Sequence, residues 1–245
     1  QRLMPPEQRK EVIDVISGFP RITFALFTNG LLIDDEVISK LKKARNIVPI
    51  ISLEGYESDT DDRRGEGVFR RVREAAESLG RNNIFYGVSL TATSSNFDAI
   101  TGADFINAFI NIKSRLFLFV EYVPVKEETE DLCLTGGQQK EIIRLMDTFR
   151  GEYPALFFAF PGDEEQLGGC MSSGRGFVHV SPDGALEPCP FAPYSDVNLK
   201  DMPLKEALKS EFLSQIRSNH DQLTETSGGC ALWNKREWVQ SLLST

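Results

Sequence analysis

Three cysteines stand in sequence surroundings that are typical of metal and iron–sulfur sites. Cys170, Cys189 and Cys230 each lie beside glycine or proline, with eighteen and then forty residues between them. Glycine next to a thiolate lets backbone N–H groups approach the sulfur, as iron–sulfur sites require. The fourth cysteine, Cys133, stands between two leucines and fits an apolar core position. We therefore predict that the first three cysteines are ligands of a metal ion or cluster.

Zinc is the alternative to iron at these thiolates, and it needs a closed set of four Cys or His ligands. The chain has only two histidines, His179 and His220. His179 shares a predicted hairpin face with Phe177, where a packed or solvated histidine is the simpler interpretation. His220 follows a predicted helix among basic residues, which is typical of a surface position. The sequence leaves both metals open.

Polar residues follow four apolar segments at the points where these segments end. They are Thr28 and Asn29, Ser52 and Glu54, Ser89 and Thr91, and Glu121 and Tyr122. In parallel α/β sheets, ligands bind at the carboxyl ends of the strands. Asn29-Gly30 and Glu54-Gly55 are also common turn sequences, so a purely local role for each pair stays open. Together the four ends predict a ligand site at one rim of a sheet.

A charged segment follows the second apolar run, and we predict that it is a loop. Residues 59–67 read DTDDRRGEG. Arg63 and Arg64, held by neighbouring carboxylates, would form a fork that grips a ligand carboxylate. Gly65 and Gly67 would let the backbone come close to that ligand. The alternative is a solvated loop of mixed charge.

The elements that would position these residues alternate regularly. Strands that are apolar nearly throughout are predicted over residues 21–28, 47–53, 84–91 and 116–123. Helices follow them over residues 34–44, 67–79, 104–112 and 137–149, and an amphipathic helix over residues 7–16 precedes the first strand. Strands of this kind form parallel sheets that helices cover. The predicted class is therefore α/β.

The last third of the chain breaks this alternation. Residues 168–176 contain too many glycines for a helix. Two short strand-like segments flank Asp183-Gly184, which is a strong signal for a β-hairpin. An amphipathic helix is predicted over residues 204–216 and a short helix over residues 235–243. We expect a small extension built from a hairpin and helices.

Composition restricts the function classes. The 245 residues include 36 acidic and 27 basic ones, for a net charge of -9, which argues against nucleic acid or an anionic membrane as a partner. No segment approaches the roughly 18 apolar residues of a membrane helix. Four cysteines are too few for a disulfide scaffold, so we expect a cytoplasmic protein. The chain starts at Gln1 without a secretion signal or an initiator methionine, and we expect further residues before it.

Taken in chain order, these motifs resemble radical S-adenosylmethionine (SAM) enzymes that carry a C-terminal SPASM or twitch extension. The motifs are Thr28-Asn29-Gly30, SLEG at residues 52–55, DDRRGEGVF at 61–69, SPDGALEPC at 181–189 and Gly228-Gly229-Cys230. The resemblance covers nearly the whole chain. It implies an incomplete (β/α) barrel over residues 1–160 and an auxiliary-cluster domain over residues 161–245.

The resemblance also implies the chemistry and the partners. In this family a 4Fe-4S cluster passes an electron to SAM, and the resulting 5'-deoxyadenosyl radical abstracts hydrogen from a substrate. The implied partners are a peptide or small-molecule substrate and a reductase that donates electrons.

Individual residues receive roles from the same resemblance. Arg64 or Arg63 would pair with the SAM carboxylate. Cys170, Cys189 and Cys230 would hold an auxiliary 4Fe-4S cluster. Ser227 and Cys133 are the candidates for its fourth ligand, although no motif supports either of them. The other implied SAM contacts are Thr28, Asn29, Ser52, Glu54, Ser89 and Thr91.

Two features depart from the family pattern. The CxxxCxxC motif that holds the SAM-cleaving cluster is absent, and so is the Gly-Gly-Glu segment that follows it. The first strand resembles the family's third, so we expect two βα units to precede Gln1, and we predict that the chain by itself does not cleave SAM. The three cysteines are also fewer than a full SPASM module carries, which favours the twitch type. A zinc-stabilised α/β binding module and a catalytically inactive barrel scaffold are the alternative functions.

Overall fold

A parallel α/β sheet forms the framework of the protein. The computed structural model describes residues 6–161, 168–223 and 230–243. Five strands lie side by side in the order of the chain. They are β1 (Phe24–Thr28), β2 (Ile47–Leu53), β3 (Gly87–Ala92), β4 (Leu116–Glu121) and β5 (Leu156–Phe160). β1 pairs with β2, and β2 with β3, in parallel. The predicted α/β class is confirmed.

One helix precedes the first strand, and helices connect the successive strands. They are α1 (Pro6–Ser17), α2 (Asp35–Lys43), α3 (Glu57–Arg64), α4 (Val68–Arg81), α5 (Phe97–Thr101), α6 (Ala103–Asn111) and α7 (Gly136–Glu152). α4 shows why these helices form, because its apolar residues recur on one face and Val72, Ala76 and Leu79 are fully buried. Asp34 caps the N-terminus of α2, where its carboxylate accepts a hydrogen bond from the Val37 N–H at 3.0 Å.

The two faces of the sheet differ, and this difference positions the site. Partner residues on parallel strands point to the same face. Ile51 and Val88 are partners, are completely buried, and lie on the face that helices cover. A Cβ atom at Gly30 would lie 3.3 Å from Ile51 and 3.8 Å from Ala75 in α4, so only glycine lets the backbone run this close to these two side chains. Ser52 and Ser89 are also partners, and they lie half-buried on the opposite face.

An aromatic cluster packs at β4 and β5, the two strands farthest from β1 in the sheet. The rings of Phe117 in β4 and Phe157 in β5 stack with their centroids 4.9 Å apart. Phe149 of α7 packs on Phe157 at 5.2 Å. Aromatic pairs of this kind add about 0.5–1.5 kcal/mol each beyond the area they bury. The contact attaches α7 to the sheet.

The described chain divides into two compact units. One contains residues 1–120 and 140–159, and the other contains residues 121–139 and 160–245. The second unit therefore includes the segment before α7 as well as the predicted extension. The predicted division into residues 1–160 and 161–245 stays a prediction.

The second unit contains a hairpin and short helices. β6 (His179–Val180) and β7 (Leu186–Glu187) pair antiparallel around Asp183-Gly184, as the sequence predicts. Helices α8 (Leu204–Ala207), α9 (Glu211–Ser218), α10 (Ala231–Asn234) and α11 (Arg236–Ser241) follow, with 3-10 turns at Glu130–Leu132 and His220–Gln222. The core consists of fully buried apolar residues that include Leu186, Leu213, Leu232 and Val239.

Two of the predicted elements are wrong. The charged loop over residues 59–67 is mostly helix α3, which ends at Arg64. Only Thr60 of this helix is buried, so it lacks the apolar stripe by which a helix is recognised in a sequence. The single helix over residues 204–216 is broken into α8 and α9 at Ser210, whose hydroxyl accepts a hydrogen bond from the Leu213 N–H at 3.2 Å and so begins α9.

None of the helices in the three described ranges has the length and apolar character needed to cross a bilayer.

Candidate functional site

Three of the predicted contact residues lie together at the carboxyl ends of β2 and β3. Ser52 and Ser89 are partners in the parallel register, and Thr91 follows two positions along β3 on the same face. All three are partly exposed, whereas the alternating residues Leu53 and Leu90 are completely buried on the other face. Their hydroxyl groups thus line one rim of the sheet.

A buried carboxylate at this rim holds two arginines. Glu54 immediately follows β2 and is 3% exposed. Its Oε2 lies 2.7 Å from Arg63 Nη1. Its Oε1 accepts hydrogen bonds from Arg64 Nε at 2.9 Å and Arg64 Nη2 at 2.5 Å. Glu54 therefore binds both Arg63 and Arg64 across the turn that follows β2.

One acidic residue next to the arginines binds a different part of the chain. The carboxylate of Asp61 accepts hydrogen bonds from the N–H groups of Gly67 at 2.6 Å and Phe69 at 2.8 Å. These bonds satisfy N–H groups at the beginning of α4. Asp61 thus joins α3, which carries both arginines, to the beginning of α4 and so holds α3 in place.

Two residues that the sequence analysis missed hold the main chain of Glu54. Thr60 Oγ1 accepts from the Glu54 N–H at 3.3 Å and donates to the Gly55 carbonyl at 3.2 Å. Asn96 Nδ2 donates to the Glu54 carbonyl at 2.6 Å and to the Thr91 carbonyl at 2.8 Å. Both residues are almost completely buried. The only sequence signal at Asn96 is its preference for turns, which does not identify a link between strands.

Thr28 and Asn29 have local turn partners. Thr28 pairs with Ile51 in the register and therefore lies on the helix-covered face, away from the rim hydroxyls. Its Oγ1 accepts from the Gly30 N–H at 3.1 Å. Asn29 Oδ1 accepts from the Leu31 N–H at 3.3 Å. The structure does not bring Thr28 to the same face as Ser52 and Ser89.

Glu121 ends β4 as a buried carboxyl group. It is 6% exposed and accepts a hydrogen bond from Gln139 Nε2 at 3.0 Å. Burial raises the pKa of Glu121, and the hydrogen bond from Gln139 offsets part of that rise. The hydroxyl of Tyr122 donates to Thr129 Oγ1 at 3.1 Å. These two residues thus form local contacts within the second unit.

Two of the three predicted cluster ligands are in contact. The Cys189 thiol donates a hydrogen bond to Cys230, and this contact, followed by burial, raises the pKa of Cys189 above its usual value. The Phe191 N–H points at Cys189 Sγ and the Trp233 N–H at Cys230 Sγ, each at 3.5 Å. Backbone N–H groups in this arrangement stabilise thiolates at iron–sulfur sites. Cys189 and Cys230 therefore have surroundings that fit thiolate ligation.

Cys170 belongs to the same buried cluster. It packs with Cys189 among the apolar residues of the second unit. Its Sγ donates a hydrogen bond to Ser172 Oγ at 3.2 Å. Within the described ranges, no three Cys, His, Asp or Glu side chains are already arranged around a point where a metal ion would fit. The donor chemistry of the three cysteines thus fits an iron–sulfur cluster.

The remaining ligand candidates lie in other surroundings. His179 Nδ1 is 2.7 Å from Glu187 Oε2, and His220 Nδ1 is 3.0 Å from the Arg217 carbonyl oxygen. Burial and then the nearby carboxylates of Glu130, Glu121 and Asp131 raise the pKa of Cys133. Ser227 lies outside the described residues.

Comparison with known proteins identifies the fold. No family model matches the chain. An AdoMet-dependent heme synthase of Methanosarcina barkeri is 23% identical over 229 residues, which cover 84% of this chain and 65% of that protein. Streptococcus suis SuiB bound to S-adenosylmethionine superposes with a TM-score of 0.69 at 16% identity over 91% of this chain and 56% of its own. The chain has the radical SAM fold.

A second solved structure agrees. Native anSMEcpe with bound AdoMet and Cp18Cys peptide has a TM-score of 0.64 at 16% identity, and the match covers 96% of this chain and 81% of that one. These comparisons confirm the resemblance to radical SAM enzymes and the partial-barrel class. The chain spans less than two thirds of the length of the heme synthase and of SuiB.

Proposed function

We propose that this chain belongs to a radical SAM enzyme and contributes a SAM-binding rim and an auxiliary iron–sulfur site. The observation that carries the proposal is the Glu54 carboxylate with Arg63 and Arg64 at the carboxyl end of β2. The solved relatives SuiB and anSMEcpe bind S-adenosylmethionine, which supports the same ligand here. The absence of CxxxCxxC from this sequence makes binding, rather than turnover, the property to test.

The two arginines favour a ligand that carries a carboxylate. Their guanidinium groups share one carboxylate, Glu54, which is almost completely buried. Guanidinium groups bind carboxylates with two parallel hydrogen bonds, which supports the SAM carboxylate as a ligand here. Arg64 is more buried than Arg63, with 25% against 48% of its side chain exposed, so it is better fixed for this role.

The hydroxyl groups of the rim suit the polar remainder of SAM. Ser52, Ser89 and Thr91 each offer one donor and two acceptor positions on the same face of the sheet. SAM presents an ammonium group, ribose hydroxyls and adenine nitrogens that need such partners. Asn29 lies just beyond the end of β1 and remains a proposed contact, as does Thr28.

Titration calorimetry of SAM into the 245-residue chain tests this site. Arg64→Gln should weaken binding by at least about tenfold, because the loss of one charged hydrogen-bonding partner costs about 1.5–3 kcal/mol. Arg144→Gln is the matched control, since Arg144 pairs with Glu141 on the exposed surface of α7. Equal SAM affinities of the Arg64→Gln variant and the wild-type chain would refute the assignment.

We propose further that Cys170, Cys189 and Cys230 hold a 4Fe-4S cluster. Such a cluster would supply an electron-transfer centre, and the N–H groups of Phe191 and Trp233 would stabilise its thiolates. Anaerobic incubation with iron and sulfide should give a brown protein with about four iron atoms per chain. Replacing any of the three by alanine should reduce the iron content, whereas Cys133→Ala should not.

Metal analysis also separates this proposal from the zinc alternative. Zinc in a one-to-one ratio, with no uptake of iron under reducing conditions, would favour a zinc-stabilised binding module. The absence of any bound metal together with an unchanged fold would favour a catalytically inactive scaffold.

The substrate and partners are proposed by analogy. The solved structures of SuiB with the precursor peptide SuiA and of anSMEcpe with the Cp18Cys peptide support a peptide substrate. We also propose a cytoplasmic reductase as electron donor, because reduction of the clusters requires one. Co-purification of a flavoprotein or ferredoxin that reduces the reconstituted chain would support this partner.

A further inference from the structure

We propose that Asn96 is a positioning residue of the SAM site, which holds Glu54 and, through its carboxylate, Arg64. Its side-chain amide joins the main chains that follow β2 and β3, between the two strands that carry the rim hydroxyls. The ligand-binding consequence rests on the proposed function. The effect on Arg64 itself does not.

All the polar atoms of the Asn96 side chain have partners. Nδ2 donates one hydrogen bond to the Glu54 carbonyl at 2.6 Å and another to the Thr91 carbonyl at 2.8 Å. Oδ1 accepts from the Thr93 N–H at 2.8 Å. Asn96 is 5% exposed, so water cannot easily replace these bonds. One primary amide thus satisfies three backbone groups from two neighbouring strand ends.

The bonds to Glu54 leave its peptide little freedom. Asn96 binds the Glu54 carbonyl while Thr60 binds the Glu54 N–H, so the residue is held on both sides of its Cα atom. The direction of the side chain follows from this main-chain position, and the carboxylate in turn fixes the Arg64 guanidinium. A shift of the Glu54 main chain would therefore move the group that is proposed to bind the SAM carboxylate.

A purely local role for Asn96 is the competing explanation. Thr93 and Asn96 form a turn in which the Thr93 N–H binds Asn96 Oδ1 and the Asn96 N–H binds Thr93 Oγ1. The substitution Asn96→Asp separates the two roles. It keeps an oxygen for the Thr93 N–H, but it removes both Nδ2 donors and places a carboxylate oxygen against the carbonyls of Glu54 and Thr91.

The test uses nitrogen-edited NMR of the full 245-residue chain. The Nε–H group of Arg64 donates to Glu54, so its proton signal should lie apart from those of exposed arginines and should vanish in Arg64→Gln. In Asn96→Asp we expect this signal to move to the exposed-arginine position. We also expect SAM affinity to fall about tenfold, which corresponds to about 1.4 kcal/mol.

The control is Asn82→Asp in the same unit. Asn82 Nδ2 donates to the Ser78 carbonyl at 2.9 Å, at the end of α4, so the chemical change is the same while the rim is untouched. The Arg64 signal and the SAM affinity should then stay as in the wild-type chain. If Asn96→Asp fails to fold, Asn96→Ser removes the same two donors while its hydroxyl can still accept a hydrogen bond.

The outcomes separate the two proposals. An Arg64 signal that stays at its wild-type position in Asn96→Asp, even with a lower melting temperature, would show that Asn96 serves only the local turn and would overturn the inference. A wild-type chain that binds no SAM would contradict the proposed function, while the position of the Arg64 signal would still decide the role of Asn96.

Discussion

The substitution Glu54→Gln should destabilise the protein far more than the same substitution at an exposed ion pair. Glu54 binds Arg63 and Arg64 through both carboxylate oxygens, and its side chain is 4% exposed. Glutamine keeps the size of the side chain but removes its charge. The two neighbouring guanidinium groups would then lose the buried carboxylate that they share.

The magnitude follows from burial. Breaking a fully buried ion pair by removal of one partner costs about 3–5 kcal/mol. Arg63 and Arg64 keep 48% and 25% of their side-chain exposure and therefore part of their hydration, which reduces the cost. We expect a loss of about 2 kcal/mol and a fall in melting temperature of about 4–8 °C.

Glu141→Gln is the matched control for this prediction. Glu141 also binds one arginine through both oxygens, with Arg144 Nε at 2.8 Å and Nη2 at 2.5 Å, but the two side chains are 41% and 64% exposed. We expect a much smaller loss of stability here, because solvent screens the exposed pair. Urea unfolding of both variants measures the difference. Equal losses of unfolding free energy would refute the reasoning that burial, rather than geometry, makes the Glu54 pair strong.

Three further predictions concern the framework and the pH dependence. Gly80→Ala should cost about 3 kcal/mol despite the better helix propensity of alanine, because its Cβ atom would lie 2.1 Å from the Ile112 carbonyl oxygen. Gly136→Ala is the control in thermal unfolding, since its Cβ atom would meet no other part of the described chain within 4 Å beyond its immediate neighbours and its own helix. Asp61→Ala should lower unfolding free energy by about 1 kcal/mol through the loss of its bonds to the Gly67 and Phe69 N–H groups, and hydrogen exchange at the first turn of α4 should rise. Because burial raises the pKa of Glu121 above its usual 4.5, the folded state binds the proton of this carboxyl group more tightly than the unfolded state does. The free energy of unfolding should therefore fall as the pH rises from 4.5 through the raised pKa. Urea unfolding of Glu121→Gln at several pH values should not show this fall.

Much of the fold was predictable because it depends on local patterns. The apolar runs at Ile47–Leu53 and Leu116–Glu121 predict buried parallel strands, and Asp183-Gly184 predicts the hairpin. α3 could not be recognised, since tertiary contacts rather than an apolar face stabilise it. The break at Ser210 had a signal in its helix-capping side chain, but the apolar periodicity on both sides concealed it.

The candidate site was predictable only in part, for a similar reason. Parallel register places Ser52 beside Ser89, and this follows from the order of the strands. The partner of Arg64 depends on how the chain turns after β2, so the sequence did not specify which neighbouring carboxylate holds it. The role of Asn96 depends on two main-chain carbonyl groups from different strands. Because every residue has such a group, the sequence does not indicate which two Asn96 binds.

Comparing the affinities of SAM and decarboxylated SAM tests the central claim most directly. The two ligands differ only in the carboxylate that Arg64 is proposed to bind. The wild-type chain should bind SAM at least about tenfold more tightly than decarboxylated SAM, and Arg64→Gln should abolish that preference by weakening SAM alone. Equal affinities of the wild-type chain for both ligands, or an unchanged preference in Arg64→Gln, would contradict the assignment of this rim as the site of the SAM carboxylate.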